Sequence, residues 1–247
     1  MSKFSFRPEL RGHIGVEREQ FLVSPKDART YVPQSKRFLD EINNSSWTYE
    51  LSACQVEFRT HPQFDLSAIK QELVNNESLG NSVATKLKIK LDNQEVADLN
   101  MPLDVYTNDR YLEIARTISV EQLRAACRVA GTHVHIGVGS IEEAISINNS
   151  LVPYLETLCK IGDHSQGERL RLYKTMASHW QPVMYENAEH LFHFAQEENF
   201  TENPRNCWKL IRISIHGTVE LRMFGSTHDV DEIVEWVSFI KSLTPAL

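Results

Sequence analysis

The amino-acid sequence predicts an α+β domain built around a largely antiparallel sheet. Short segments that alternate apolar and polar residues recur along the 247 residues, separated by longer segments with helical periodicity. The last two alternating segments are joined only by Ile215-His216-Gly217, which is a typical hairpin length. No internal repeat or linker-like run divides the chain, so residues 1–247 are predicted to form a single domain.

Five segments are predicted to be strands, because each alternates apolar and polar residues and ends at a turn signal. Pro25 and Pro62 each lie two residues beyond one of these segments, where a residue without a backbone N–H interrupts a sheet. The predicted strands are Gly12–Val23, Ala53–Thr60, Thr132–Val138, Trp208–Ser214 and Thr218–Phe224.

Helical spacing of apolar residues predicts helices between the strands. The first extends from Asp65 to about Asp92, either as one long helix or as a broken pair, with Gly80 weakening its middle. Further helical patterns cover residues 168–177, 183–196 and 229–243.

Two helix starts are marked by capping-box spacing. Ser119 precedes Gln122 by three residues, and Ser140 precedes Glu143 by the same number. Each pair predicts a helix that begins at the residue after the serine, and Pro153 is expected to kink the second helix.

Composition and charge exclude several classes of function. Asp and Glu number 33 against 26 Lys and Arg, and this net charge of −7 argues against a nucleic-acid partner. No stretch approaches the roughly 18 apolar residues of a membrane span, and the N-terminus lacks an apolar signal region. The four cysteines show no CxxC spacing, which predicts free thiols and a cytoplasmic protein.

Four predicted strands carry two polar residues at positions i and i+2, so both side chains of each pair lie on one sheet face. One such pair is typical of the solvated face of an antiparallel sheet. Four pairs in one sheet would bring carboxylates together, and their repulsion would destabilise the fold unless a cation compensated. The pairs are Glu17 and Glu19, Glu57 and Arg59, His133 and His135, and Glu220 and Arg222.

The types of ligand select the cation. Carboxylate oxygens with an imidazole favour a hard divalent ion such as Mg²⁺ or Mn²⁺, whereas zinc prefers thiolates or several histidines. Mg²⁺ with open coordination positions commonly binds phosphate oxygens, which indicates nucleotide chemistry. The sequence has neither a P-loop nor a complete dinucleotide fingerprint, so the metal and an arginine are expected to hold the phosphates.

These residues resemble, in order, the motifs of glutamate–cysteine ligases. The resemblance is greatest to the bacterial carboxylate–amine ligase branch, the second glutamate–cysteine ligase family, which is itself similar to the glutamine synthetase catalytic domain. The motifs extend from residue 12 to residue 225. Those that carry the resemblance are Gly15–Glu19, Glu50 seven residues before Glu57, Val56–Thr60, Arg110-Tyr111, Gly131–Gly137 and Thr218–Arg222.

The resemblance implies a glutamine synthetase-like fold, with a curved, mainly antiparallel sheet, helices packed on one face and metals on the concave face. It implies an ATP- and Mg²⁺-dependent ligase that phosphorylates a carboxylate and then lets an amine displace the phosphate. Arg222 and Glu57 would be catalytic, with Arg222 stabilising the transferring phosphoryl group. The implied metal ligands are Glu17, Glu19, Glu50, Glu57, His135 and Glu220, and the implied substrate or nucleotide contacts are Arg59, Arg110, Tyr111 and His133.

Several alternatives stay open at this level. Arg59 either binds a substrate carboxylate or neutralises Glu57, and His133 either lies near the phosphates or is structural. Arg169 and Arg171 are expected to form surface salt bridges. The substrates are expected to be ATP and amino-acid-like small molecules, with homo-oligomerisation left open. The alternative functions are an amidoligase for another acid and amine, such as a peptide, and a regulatory protein that binds nucleotide without turnover.

Overall fold

An eight-stranded open sheet is the scaffold of the computed structural model, which describes residues 4–202 and 204–245. The strand order is β3-β4-β1-β6-β8-β7, β2 and β5 also pair with β1, and all neighbours are antiparallel. The predicted antiparallel sheet is therefore confirmed, while the ends of the predicted domain, residues 1–3 and 246–247, lie outside the described residues. The strands are β1 (Ile14–Ser24), β2 (Asp27–Tyr31), β3 (Trp47–Tyr49), β4 (Gln55–Arg59), β5 (Lys90–Asp92), β6 (Gly131–Gly137), β7 (Ile211–Ser214) and β8 (Thr218–Gly225).

Strand β1 is central, because it pairs with β4 and β6 along one half and with β2 and β5 along the other. Its side chains alternate between the two sheet faces. Ile14 and Val16 enter the main hydrophobic core, whereas Glu17 and Glu19 lie on the opposite face. The alternation that predicts the strand thus also separates a core face from a polar face.

In the described part of the chain, helices pack into the main core on one face of the sheet, as predicted, and two helices border the opposite, polar face. Helices α2, α5 and α9 pack apolar side chains into the main core, whereas α3 and α4 border the polar face. None of these helices has the length and apolar character needed to span a bilayer. The helices are α1 (Ser35–Ile42), α2 (Leu66–Leu87), α3 (Asp109–Thr117), α4 (Val120–Arg128), α5 (Ile141–Leu151), α6 (Leu155–Ile161), α7 (Glu168–Met176), α8 (Ala188–Glu197) and α9 (Val230–Leu243).

Several element boundaries differ from the predicted ones. The helix predicted up to Asp92 is a single unbroken helix that ends at Leu87, because Lys88 adopts a left-handed conformation with φ of 58°. The residues beyond it form β5 instead. The helix predicted from residue 183 begins only at Ala188, where the Asn187 side chain caps it.

The two predicted capping boxes differ in the structure. Ser119 and Gln122 form the reciprocal box that opens α4. Ser140 also caps α5, but the Glu143 carboxylate accepts from the amide of Gly139, so the second box is incomplete. Pro153 ends α5 rather than kinking it, since a short 3₁₀ turn separates α5 from α6.

Gly80 allows α2 to pack closely against the sheet. A Cβ at this position would lie 2.5 Å from Cη2 of Trp47 and 2.8 Å from Cδ1 of Leu91. We expect Gly80→Ala to lower the free energy of unfolding by about 1–3 kcal/mol, because overpacking outweighs the higher helix propensity of alanine. Urea denaturation would measure the change. Ser78→Ala, at an exposed position of the same helix, should cause no loss.

Candidate active site

The register of β1 against β4 builds the first half of the site. Glu17 lies opposite Arg59, and Glu19 lies opposite Glu57. Because residues two apart along a strand share a sheet face, these four side chains are on the same side of the sheet.

Strands β6 and β8 add the second half. His133 of β6 lies opposite Glu17 of β1, and His135 lies opposite Glu220 of β8. Arg222 follows two residues after Glu220, although a register shift separates it from β6. The four polar pairs predicted from the sequence therefore converge on one face of one sheet.

A cavity of 210 Å³ opens over this face and is lined by every predicted site residue except Arg59. Arg59 instead lines a neighbouring cavity of 400 Å³. The two cavities share Glu17, His135 and His216 as lining residues, so they meet beside the carboxylate cluster.

The clustered side chains fit a hard divalent cation. Among the described residues, three groups of ligand atoms each lie within 4.8 Å of one another. Each group contains at least two carboxylates, as Mg²⁺ or Mn²⁺ prefers. The groups are Glu17, Glu57 and His133; Glu17, His135 and Glu220; and Glu19, Glu50 and Glu57.

The orientation of His135 supports a metal role for its ring. Its Nδ1 lies 2.9 Å from Oγ1 of Thr218, which fixes the ring as outer-shell contacts commonly fix metal-binding histidines. Its Nε2 is buried without a hydrogen-bond partner, although Oε2 of Glu17 lies only 3.3 Å away. A cation between these two atoms would satisfy both of them.

Glu17 and Glu57 have opposite shifts in acidity. Burial alone would raise the pKa of Glu17, but the adjacent His135 and His133 hold it well below its usual range. Burial, together with the negative charges of Glu17 and Glu50, raises the pKa of Glu57 well above its usual range. Without a cation, Glu57 therefore keeps its proton at pH values where an exposed glutamate has lost it.

The pKa values of His133 and His135 are also shifted in opposite directions. Burial and the positive charge of Arg222 lower the pKa of His133. Burial would lower the pKa of His135 as well, but Glu17 and Glu220 raise it. His133 therefore loses its ring proton at a lower pH than His135. It also belongs to one of the ligand groups, although the family resemblance placed it outside the ligand set.

Glu220 is held by two arginines, one of which sequence reasoning missed. Arg212 donates to both carboxylate oxygens, from Nε at 2.8 Å and Nη2 at 3.0 Å, and Arg222 Nη1 donates to Oε1. Burial alone would raise the pKa of Glu220, but Arg212 and Arg222 hold it well below its usual range. The sequence contained a signal, because the short hairpin loop sets Ser214 opposite Thr218 and hence Arg212 opposite Glu220.

Arg222 projects into the cavity from β8. Its Nε donates to the hydroxyl of Tyr173 at 3.2 Å, and its guanidinium carbon lies 6.0 Å from the ring centroid of Trp208. These contacts, with Glu220, hold the guanidinium in a fixed direction on the polar face. Burial would lower the pKa of Arg222, but Tyr173 and Glu220 raise it, so the residue stays charged.

The predicted Arg110-Tyr111 pair lies at the beginning of α3, beside the cavity. The Arg110 guanidinium carbon lies 5.3 Å from the Tyr111 ring centroid. Burial and the charge of Glu50 raise the pKa of Tyr111, so its hydroxyl keeps its proton and can donate a hydrogen bond.

The cysteines do not supply a nucleophile. All four are free thiols, as the sequence predicts. Burial raises the pKa of Cys54 and of Cys127 to about 12, so neither forms a thiolate at neutral pH.

We expect Mg²⁺ binding to release protons. Burial raises the pKa of Glu19 and Glu50 as well as Glu57, so the metal-free protein retains protons that a cation must displace. The unfolded chain loses these protons at the ordinary glutamate pKa. The free energy of unfolding of the metal-free protein should therefore fall as pH rises from the ordinary glutamate pKa towards the raised pKa values of the folded protein.

Saturating Mg²⁺ should abolish this slope, because it lowers the folded pKa values below the unfolded ones and leaves these carboxylates ionised in both states above about pH 5. Melting temperatures between about pH 5 and 8, with and without Mg²⁺, would test the sign. Calorimetry in two buffers of different ionisation enthalpy would count the protons. Identical slopes in both series would contradict the assignment of these carboxylates to a metal.

Comparison with solved structures supports the fold described above. The crystal structure of a bifunctional glutathione synthetase from Pasteurella multocida aligns with 96% of this chain and 38% of that chain, with a TM-score of 0.56 and 12% identity. At this identity the likeness shows the fold alone. It confirms the predicted fold class, which is α+β with a mainly antiparallel sheet.

The chain belongs to glutamate–cysteine ligase family 2, whose family model matches residues 13–159. A Streptomyces coelicolor protein named "Putative glutamate--cysteine ligase 2" is 28% identical over 159 residues, or 62% of this chain and 42% of the relative. A "Glutamate--cysteine ligase" of Natronomonas pharaonis is 24% identical over 255 residues, or 96% and 70%. The chain thus spans less than half the length of the Streptomyces relative.

Proposed function

We propose that this chain carries the catalytic site of an ATP- and Mg²⁺-dependent carboxylate–amine ligase similar to glutamate–cysteine ligase. The observation that carries the proposal is the convergence of three groups of potential cation ligands and Arg222 on one sheet face. Membership of glutamate–cysteine ligase family 2 supports the same class of reaction.

The proposed reaction has two steps. A carboxylate oxygen of the acid substrate attacks the γ-phosphorus of ATP, and ADP leaves, giving an acyl phosphate. The amine nitrogen of the second substrate then attacks the acyl carbon, and phosphate and a proton are released. Phosphoryl transfer depends mainly on positioning and charge neutralisation, which this cluster is built to supply.

The residues of the cluster have separate roles in this proposal. The residues that would hold Mg²⁺ or Mn²⁺ are Glu17, Glu19, Glu50, Glu57, His135 and Glu220. His133 would complete one of the three groups. When bound, the cations would neutralise charge on the ATP phosphates. Arg222, fixed by Tyr173, would stabilise the transferring phosphoryl group. Glu57 would combine a catalytic role with metal binding.

Two adjoining cavities suit a reaction with separate substrates. The smaller cavity contains the carboxylates, Arg110, Tyr111 and Arg222, whereas the larger one contains Arg59. In the larger cavity Arg59 is available to a substrate, because 46% of its side chain is exposed. Its Nε lies 3.8 Å from Oε1 of Glu57, which is too far for a hydrogen bond. Substrates on either side of the cluster would place their reacting groups at the shared Glu17 and His135.

The test is release of ADP and phosphate from Mg-ATP in the presence of a panel of acids and amines. Release that requires both an acid and an amine is the expected result. Calorimetric titration with Mg-ATP would run in parallel. Product assignment by mass spectrometry would separate glutamate and cysteine from other substrate pairs, including peptides.

Each alternative gives a different outcome. Turnover with another pair would identify an amidoligase of different specificity. Tight Mg-ATP binding without turnover under any pair would support a regulatory nucleotide-binding protein and contradict the ligase proposal. Absence of Mg²⁺-dependent nucleotide binding would contradict the metal assignment itself.

A further inference from the structure

Arg169 of α7 is a buried arginine whose guanidinium donates to backbone carbonyls. Only 4% of the residue is exposed, so its expected role in a surface salt bridge is wrong, whereas Arg171 does pair with Glu168 at the surface. Its Nε donates to the carbonyl of Ala130 at 2.9 Å. Its Nη1 and Nη2 donate to the carbonyls of Met223 and Arg222, at 2.9 and 3.1 Å.

Those last two carbonyls belong to an irregularity in β8. The β6–β8 register advances from Val134 opposite Leu221 to Thr132 opposite Phe224. Two steps along β6 are thus matched by three steps along β8, which is the signature of a β-bulge at Arg222 and Met223. Bulged residues leave the regular ladder, and their buried carbonyls need other donors.

We infer that Arg169 is a positioning residue, which holds the β8 bulge and thereby aims Arg222 into the active site. The guanidinium supplies donors to both carbonyls of the bulge and, through Ala130, ties that bulge to the beginning of β6. Bulges beside active sites commonly redirect a side chain. The inference rests on the proposed function, because that proposal gives Arg222 its catalytic role.

Gly131 leaves the space in which the guanidinium sits. A Cβ at Gly131 would collide with Nη2 of Arg169 and would lie 3.0 Å from the carbonyl oxygen of Phe224. The amide of Gly131 also donates to Oε2 of Glu19 at 2.7 Å. The same corner therefore supports a predicted metal ligand on one side and the bulge on the other.

A double-mutant cycle tests whether Arg169 acts through Arg222. Arg169→Gln should lower kcat for phosphate release by about 10–100-fold, as loss of outer-shell support commonly does. In an Arg222→Ala background, the same substitution should cost less than about 2-fold, because the group that it aims is already gone. KM for Mg-ATP should change little in either background.

Arg128→Gln is the matched control for loss of a buried arginine. Arg128 is 7% exposed and donates to the carbonyl of Ala97, away from the bulge. Its replacement should lower the melting temperature without a selective loss of kcat. Rates would be divided by the concentration of folded protein, measured by titrating the binding-competent sites. A loss of folded protein is then not mistaken for a loss of catalysis.

Hydrogen–deuterium exchange supplies a readout that needs no turnover. Peptides that cover residues 218–226 should exchange faster in Arg169→Gln than in wild type or Arg128→Gln. Equal further losses of kcat in both backgrounds, or unchanged exchange of β8, would overturn the inference. If wild-type protein showed no turnover, the proposed function would fail, while the exchange experiment would still decide whether Arg169 holds the bulge.

Discussion

Replacing Arg222 with alanine is expected to lower the rate of Mg-ATP-dependent phosphate release by about 10²- to 10³-fold, the usual cost of removing one transition-state donor. The guanidinium lines the cavity and is fixed by Tyr173 and Glu220. Affinity for Mg-ATP should change little, because the proposed cation ligands are the carboxylates and His135 rather than Arg222. Single-turnover phosphate release and equilibrium nucleotide binding would separate the two effects.

Arg171→Ala provides the comparison for removal of a positive charge. Arg171 is exposed and pairs with Glu168 on α7, so its loss should leave both quantities unchanged. Equal losses of rate and of nucleotide affinity in Arg222→Ala would assign Arg222 to ground-state binding instead of transition-state stabilisation.

Glu17→Gln is expected to weaken Mg²⁺ binding by more than about 100-fold, since even outer-shell losses cost 10–100-fold. Glu17 belongs to two of the three ligand groups found among the described residues. An amide oxygen is a weaker ligand than a carboxylate and carries no charge. Mg²⁺-dependent ATP binding, measured by calorimetry, should be lost with it.

Glu235→Gln makes the same chemical change at an exposed position of α9 and should bind Mg-ATP like wild type. Melting temperatures without metal would establish that Glu17→Gln is folded. Wild-type Mg-ATP affinity in folded Glu17→Gln would show that the cluster does not hold the nucleotide's metal.

The polar face could be predicted from the sequence because strand geometry leaves little freedom. A residue pair at i and i+2 must share a face, so Glu17 and Glu19 needed no tertiary information to be placed together. The hairpin of β7 and β8 was equally constrained by its short loop. Short elements such as β2 and β3 were missed, since a few residues carry too little periodicity to distinguish a strand from a loop.

The supporting residues were harder to predict, because their roles depend on tertiary contacts. Arg169 lies on a helix with a charged neighbour at Arg171, and nothing in that pattern shows which of the two is buried. Tyr173 contacts Arg222 across 49 residues of sequence. The β8 bulge that links these residues is a change of register, which no composition or spacing in a single strand reveals.

The hydrogen bonds from Arg212 and Arg222 to Glu220 affect the order in which folding and metal binding would occur. Together with the histidines beside Glu17 and the retained proton on Glu57, these guanidinium groups act as built-in counter-ions for the carboxylates. We therefore expect the chain to fold without a metal, unlike zinc fingers, which fold only around one. On the proposed metal assignment, loading would be an exchange reaction, in which an arriving cation displaces a proton or a guanidinium rather than filling a vacant shell.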